Sequence, residues 1–565
     1  MFFFLNKFFE YLNSIPFNKF CLLLIFLIYT PISIFGYFIQ DDLGIVANIG
    51  SSKFAQALSD ICQVNNNRPL SCFYHAILSR LPAVYQFYFL LNLIFYICFV
   101  LNIIKIFEFI FNNIFLKKIF FIFLIFPFFS FTIIYSPAMQ SMGTFALLLW
   151  SVSLYFLKKF IINSNKINII SSFIALFASF LVYESPFPLL AVSIFFPLFF
   201  ENKKKLFLIN FLTITIIVSI IFIIQKFLIP IIYNVDLSRV RIDFYNYKKI
   251  IYLFFINLIL TVNILFHSLE IFLRILYDLI YRPNYLFISQ LILILIIFYS
   301  LIFYRVKIYN QKINKEFIKI SLLIFFSTIL LNSIMHTMAN TGLEFIQYNN
   351  RALVSLSFIF AFGVSVIYKY ISENNRSLFS YIIAFLFLMF VSNFFYFNNN
   401  LIKEKFQSIS LNNLIHLKFN NNDKKQVIFF SINNRPILYD ILSYNSWDYL
   451  HILNNNMPDF LNGNKVVIYI NSRKFCNKFY FNEYIYKPFN KNYVINYLNF
   501  NTHLNGDYRS YNNVKFNELE VLLKSQIICD DEFNAASKKI MAQEYLDLRY
   551  RSHFLIFLHK VQRKL

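Results

Sequence analysis

Two adjacent carboxylates, Asp41 and Asp42, sit in Gly36-Tyr-Phe-Ile-Gln-Asp-Asp-Leu-Gly44, directly after an apolar run with no loop between. An unpaired carboxylate at a membrane face is expensive. Neighbouring carboxylates also repel, which raises one pKa and suits either proton transfer or the binding of a divalent cation, Mg or Mn. Glu184 ends another apolar run in Leu181-Val-Tyr-Glu-Ser-Pro186, at the same expected depth. Between them, Asn65-Asn-Asn-Arg-Pro-Leu-Ser-Cys72 offers Arg68, whose guanidinium can hold a phosphate through two hydrogen bonds. Tyr135-Ser-Pro-Ala-Met-Gln-Ser141 brings hydroxyl and amide groups of the kind that could read a sugar, and Arg351 stands before a late apolar run, where it could meet an anionic lipid. His75 and Arg80 have weaker claims, and His336 reads as structural. The plain alternatives are an N-cap for Asp42 and headgroup anchors for Arg68 and Arg351.

These residues have to be positioned by helices in lipid. Of 565 residues, 58% are apolar and 14% charged, with a mean hydropathy of +0.58. A soluble chain is roughly a quarter charged, so the excess faces hydrocarbon; disorder and a secreted disulfide scaffold are excluded. The net charge of +23 invites nucleic acid. However, Phe, Tyr, Ile, Asn and Lys are all heavily used, as AT-rich codons would supply, and no nucleic-acid partner is expected. The six Cys show no metal-site spacing.

Apolar stretches of roughly 17 to 25 residues begin near Phe20, Tyr85, Lys118, Ser141, Asn168, Phe187, Leu206, Leu286, Ile320, Ala352 and Leu378, which predicts an α-helical polytopic membrane protein of about 11 transmembrane helices. Lys and Arg of short loops stay cytoplasmic. With the N-terminus inside, Lys105 with Lys117 and Lys118, Lys158 with Lys159 and Lys166, Lys203 to Lys205, Arg305 to Lys319, and Lys369 with Arg376 all fall on one side. The stretch 230–284 is then external, lying along the outer interface or dipping into it. A twelve-span topology with the tail inside is the alternative. The external loop 40–84 carries the Asp pair and an amphipathic stretch, Ser51 to Ile61. Residues 1–20 read as an interfacial helix.

Composition changes after residue 397: half of the 28 carboxylates lie in 398–565, among Asn-rich turns. Short β-like runs at Gln426 to Ile432 and Lys465 to Ile470 predict a soluble α/β or α+β domain, with a basic helical end from Ala535 to Leu565. An odd span count puts it outside, where Cys62 with Cys72, and Cys476 with Cys529, have the oxidising surroundings that disulfides need. Cys21 and Cys98 would lie in lipid.

Read in order, the Asp41-Asp42 pair after span one, the Arg68-Pro69-Leu70 element, the run Pro127, Phe128, Phe129, Tyr135 and Ser141, and the helix end Tyr183-Glu184 resemble the integral-membrane glycosyltransferases of the GT-C class. Within that class the pattern resembles the O-antigen glucosyltransferases of the serotype-conversion type, which modify lipopolysaccharide. The resemblance covers about the first 190 residues; beyond them it is general architecture. Asn67 stands where the pattern has Gly, Glu184 where it has Gln, and an acidic residue expected near Gln140 is missing. The resemblance implies a GT-C-like bundle in 1–397 with a periplasmic domain in 398–565, in a bacterial inner membrane. It implies transfer of a sugar, glucose among the candidates, from a polyprenyl-phosphate donor to a glycan or lipid-linked acceptor. Asp41 or Asp42 would be the base, Arg68 and Arg351 the phosphate ligands, and Tyr135, Gln140, Tyr183 and Glu184 the sugar-binding groups. A transporter or flippase of lipid-linked glycans, or a polymerase of them, is the competing reading.

Overall fold

In the computed structural model the described residues are 15–35, 69–78, 81, 84–109, 114–125, 137–200, 204–224, 250–259, 315–338, 354–370, 379–394, 426–433, 465–469, 494–501 and 508–512, with single turns in 261–295 and residue 518. They divide between a helical unit and a second unit that contains the strands.

The helices follow the apolar runs: α1 Phe17–Phe35, α2 Pro69–Leu78, α3 Val84–Ile106, α4 Ile114–Ile125, α5 Pro137–Asn163 and α6 Lys166–Val182. After these come α7 Leu190–Phe195 between 3-10 turns Phe187–Leu189 and Phe196–Phe199, then α8 Lys204–Ile223, α9 Ile250–Ile259, α10 Lys315–Met338, α11 Val354–Tyr370 and α12 Phe379–Phe394. Among the described residues, four helices are long and apolar enough to cross a membrane, within α3, α5, α8 and α10. At 1.5 Å per residue the 21 residues of Gln86–Ile106 reach about 30 Å, the thickness of a hydrocarbon core. Phe17 to Phe20 are the first turn of α1; the rest of the expected interfacial helix, up to residue 14, lies outside the described residues.

Helices α3, α5 and α6 form the heart of the unit. Between α5 and α6, Ser153 and Ser172 place their hydroxyls 3.1 Å apart, and Ser172 also donates to the Ser153 carbonyl at 2.9 Å. Small hydroxyl residues allow this close approach where lipid supplies no hydrophobic drive between helices. The turn joining the two helices is two residues long. Ser164 accepts a left-handed φ of 54° there, and the side chain of Asn165 caps α6 by accepting from the Ile167 N–H. Trp150 of α5 and Phe99 of α3 pack on Phe358 of α11 with ring centres 5.8 and 6.4 Å away, an aromatic core that α4 joins through Phe120.

The lysines lie together. Lys158 Nζ at the end of α5 donates to the Lys105 carbonyl at the end of α3, at 2.9 Å, and Lys369 Nζ at the end of α11 donates to the Phe109 carbonyl, at 3.1 Å. Phe317, in the first turn of α10, packs on Phe199 at 5.0 Å, which in turn packs on Phe109 at 5.7 Å. One end of the bundle therefore carries Lys105, Lys158, Lys159, Lys166, Lys319 and Lys369; at the other, the described residues include no Lys or Arg.

Phe187–Phe199 runs between these ends. Pro186, Pro188 and Pro197 deny it a continuous helix, and it takes 3-10 form at both ends. A 3-10 turn rises about 2.0 Å per residue, so these few residues reach further than an α-helix of equal length. The interruption frees backbone groups that lipid cannot satisfy. Asn210 of α8 donates to the Ser193 carbonyl at 2.7 Å, and Trp150 Nε1 donates to the Ser193 hydroxyl at 2.9 Å.

Within the expected external stretch 230–284, the described residues pack against α10 and α12. Asn257 Nδ2 donates to Thr337 Oγ1 and Asn332 Nδ2 to Thr261 Oγ1, each at 3.2 Å, so α9 runs antiparallel to the later half of α10 with both pairs buried. Asn393 of α12 donates to the carbonyl of buried Ser268 at 3.1 Å.

In the other unit, β1 Gln426–Asn433, β2 Lys465–Tyr469, β3 Val494–Asn501 and β4 Tyr508–Asn512 form one sheet in the order β2-β1-β3-β4. Strand β1 is parallel to β2 and β3, with Gln426 opposite both Lys465 and Val494, and β3 is antiparallel to β4. Parallel neighbours need long crossovers, which the sequence leaves room for after Asn433 and after Tyr469. The expected helical end from Ala535 to Leu565 lies outside the described residues, as do Cys62, Cys476, Cys529 and the Cys72 side chain. Cys21 is buried and Cys98 exposed, both as free thiols.

Candidate functional site

At the end of the bundle opposite the lysines, polar side chains that apolar helices ordinarily exclude are buried together. On α2, Ser71 and His75 are one turn apart and both inaccessible to solvent; on α3, Tyr88 and Asn92 repeat that spacing. Residues i and i+4 share a helix face, so each pair lines the same side of its helix. His75 Nδ1 and the Tyr88 hydroxyl are 3.0 Å apart, and the Tyr74, His75 and Tyr88 rings meet with centres 5.6 to 5.9 Å apart. The tautomer of His75 decides which of the two atoms donates.

Helix α5 begins at this level. Pro137 opens it, as a residue without an N–H can do at no cost in hydrogen bonds, and Gln140 lies in the first turn. Buried Thr144 donates to Asn92 Oδ1 at 2.8 Å and also lies 3.0 Å from the Ser141 carbonyl. Ser185 donates to the Gly143 carbonyl at 3.0 Å, tying the end of α6 to the start of α5. Tyr183 is buried and packs with Met142, Ala146 and Val182, with Tyr74 and Phe145 against them. Glu184 is half-buried between Tyr183 and Ser185. Its carbonyl accepts from the Phe187 N–H at 2.9 Å, which shapes the turn into the broken segment. The Tyr74 hydroxyl is buried facing Ser141, with no partner in hydrogen-bond geometry. Burial pushes its ionisation well above the usual phenol range, against the smaller, lowering effect of Ser141.

Tyr183, Glu184 and the helix turn that holds Gln140 thus meet at one end of the unit, beside His75, which has only a weak claim from sequence, and Tyr88 and Thr144, which have none. The signal for them was present as polar residues at helical spacing within apolar segments. Asp41, Asp42, Arg68, Tyr135 and Arg351 lie outside the described residues. Among the described residues no group of three His, Cys, Asp or Glu could hold a metal ion. The arrangement offers a hydroxyl and imidazole cluster with one carboxylate at its margin, chemistry suited to hydrogen-bonding a polyhydroxylated or phosphorylated group at a membrane surface.

Fold and site together define a polytopic helical membrane protein with a polar end at which the described residues include no lysine. Compared with known proteins, the chain matches no family model, no curated protein and no solved structure.

Proposed function

We propose that the protein is an integral-membrane glycosyltransferase of the GT-C type. In this reading it moves a sugar from a polyprenyl-phosphate donor to a surface glycan or lipid-linked acceptor. The observation that carries the reading is the convergence of His75, Tyr88, Ser141, Tyr183 and Glu184 at the end of the bundle opposite the clustered lysines. The positive-inside rule assigns that end to the outer face, where a lipid-linked donor would be met. About eleven spans with a periplasmic 398–565 domain complete this topology.

The chemistry needs three things. The acceptor hydroxyl attacks the anomeric carbon of the donor sugar, the bond from that carbon to the phosphate oxygen breaks, and polyprenyl phosphate leaves with the electron pair. Asp41 or Asp42 takes the hydroxyl proton, a role that requires hydrogen-bond reach to the acceptor. Arg68 and Arg351 neutralise the departing phosphate, and Tyr135, Gln140, Tyr183 and Glu184 orient the sugars. A divalent ion held by the Asp pair is compatible with this scheme and not required by it. Transfer of radiolabelled sugar by Asp41→Asn and Asp42→Asn, at matched expression, tests the assignment: loss of transfer in both is expected, and full activity in both removes the pair from the mechanism.

One observation favours a second reading, a transporter of lipid-linked glycans. Such proteins break helices inside the membrane, and Phe187–Phe199 is broken, with Ser193 and Asn210 buried beside it. Proteoliposomes distinguish the two, since a transferase releases polyprenyl phosphate and a transporter moves its cargo with the carrier bond intact.

A further inference from the structure

The lysine end carries a feature that sugar transfer does not use. On α3, Cys98, Leu101 and Lys105 are exposed at spacings of three and four, so they form one lipid-facing stripe that ends in a charge. On α5, Tyr155 and Lys159 are one turn apart, and Ile162 beyond them is 62% exposed. Lys159 Nζ stands 4.7 Å from the centre of the Tyr155 ring and Lys105 Nζ stands 5.4 Å from the same centre. The two ammonium groups are therefore no more than about 10 Å apart. A third, Lys158 Nζ, donates to the Lys105 carbonyl at 2.9 Å, which ties the two helix ends together. Glu108 is the nearby carboxylate whose field reaches Lys158, yet none of the three lysines makes a salt bridge among the described residues.

We propose that this notch between α3 and α5 seats the phosphate of an anionic phospholipid from the surrounding leaflet. Lys105 and Lys159 contact the phosphate beside the Tyr155 ring, and an acyl chain lies along Leu101 and Cys98. Three converging cations without a paired anion attract one. The continuous apolar stripe below them selects a lipid over a soluble phosphate, because only a lipid brings a chain to cover it. A basic residue near a membrane surface favours an anionic lipid, and a tyrosine ring at this level is a usual interfacial anchor.

The test is native mass spectrometry of the full-length chain, delipidated in detergent and titrated with phosphatidylglycerol or phosphatidylcholine. The wild-type chain should retain phosphatidylglycerol selectively. The double variant Lys105→Gln/Lys159→Gln should lose about tenfold or more in that affinity, as removal of two close charges implies. Lys205→Gln/Lys319→Gln, which removes the same charge from other helices, should lose less than about threefold. All four positions are at the surface, and an unchanged melting temperature checks that the variants fold. Three results overturn the proposal: no preference for phosphatidylglycerol, equal losses in the two double variants, or displacement of the lipid by glycerol 1-phosphate at equal concentration. Equal losses would mean that the lysine end acts only through its overall charge. Displacement would mean that the seat reads a free anion.

Discussion

His75 Nδ1 lies 3.0 Å from the Tyr88 hydroxyl, and both residues are sealed from solvent where α2 meets α3. Helix α2 has ten residues, too few to be stable without tertiary contacts. Its position rests on this pair, on the ring packing around it and on its contacts with α6. Tyr88→Phe keeps the ring and removes the hydroxyl, which should cost about 1–2 kcal/mol because a buried imidazole nitrogen loses its partner. Thermal unfolding in detergent measures it. A double cycle with His75→Leu should show coupling of about 0.5 kcal/mol or more; simple additivity would mean that the two groups stabilise the protein independently.

A different kind of support holds the broken segment. Ser193 joins Trp150 and Asn210, its hydroxyl accepting from one and its carbonyl from the other. Asn210→Leu leaves a main-chain carbonyl unpaired in an apolar setting. A loss of about 1–3 kcal/mol is expected, larger than for Thr213→Val on the exposed face of the same helix, where Thr213 only bonds back to the Ile209 carbonyl. Comparing the two variants in one unfolding assay separates the cost of the broken segment from general damage to α8.

The helices were legible because hydrocarbon imposes length and composition on them directly: Tyr85, Ser141, Asn168, Leu206 and Leu378, expected as starts, fall within four residues of the observed starts of α3, α5, α6, α8 and α12. Strands β1 and β2 were legible from short β-branched and aromatic runs between Asn-rich turns. The break at Pro186 to Pro197 was harder to read, since an apolar run with prolines at both ends looks like one span until the 3-10 geometry is seen. The site was half legible. Glu184 announced itself as a carboxylate at a helix end, whereas His75, Tyr88 and Thr144 show locally only as polar residues spaced within apolar segments, and the partners through which they matter lie on other helices.

Tyr74 makes the polar cluster sensitive to alkali. Burial raises its ionisation above that of the unfolded chain, so above pH 10 or so the unfolded phenol gives up a proton that the folded one keeps. The folded state then binds more protons, and stability must fall as pH rises. Below that pH the group is neutral in both states and contributes no slope. Tyr74→Phe should therefore flatten the stability profile above pH 10 relative to the wild-type chain while leaving its shape at pH 7 to 9 unchanged. Chemical unfolding across that range gives the comparison.

The sidedness of the two bundle ends decides whether sugar transfer at the outer face is possible at all. Lys166 opens α6 at the end where Lys105, Lys158 and Lys369 gather, and short basic loops are retained in the cytoplasm. In a chain stripped of native cysteines, Lys166→Cys should resist a membrane-impermeant maleimide in intact cells and react once the membrane is opened. Asp42→Cys should behave in the opposite way, reacting from outside without permeabilisation, a readout that does not depend on activity. Reaction of Lys166→Cys in intact cells would place the lysine end outside. The polar cluster of His75, Tyr88 and Tyr183 would then open to the cytosol, on the wrong side of the membrane for a periplasmic acceptor.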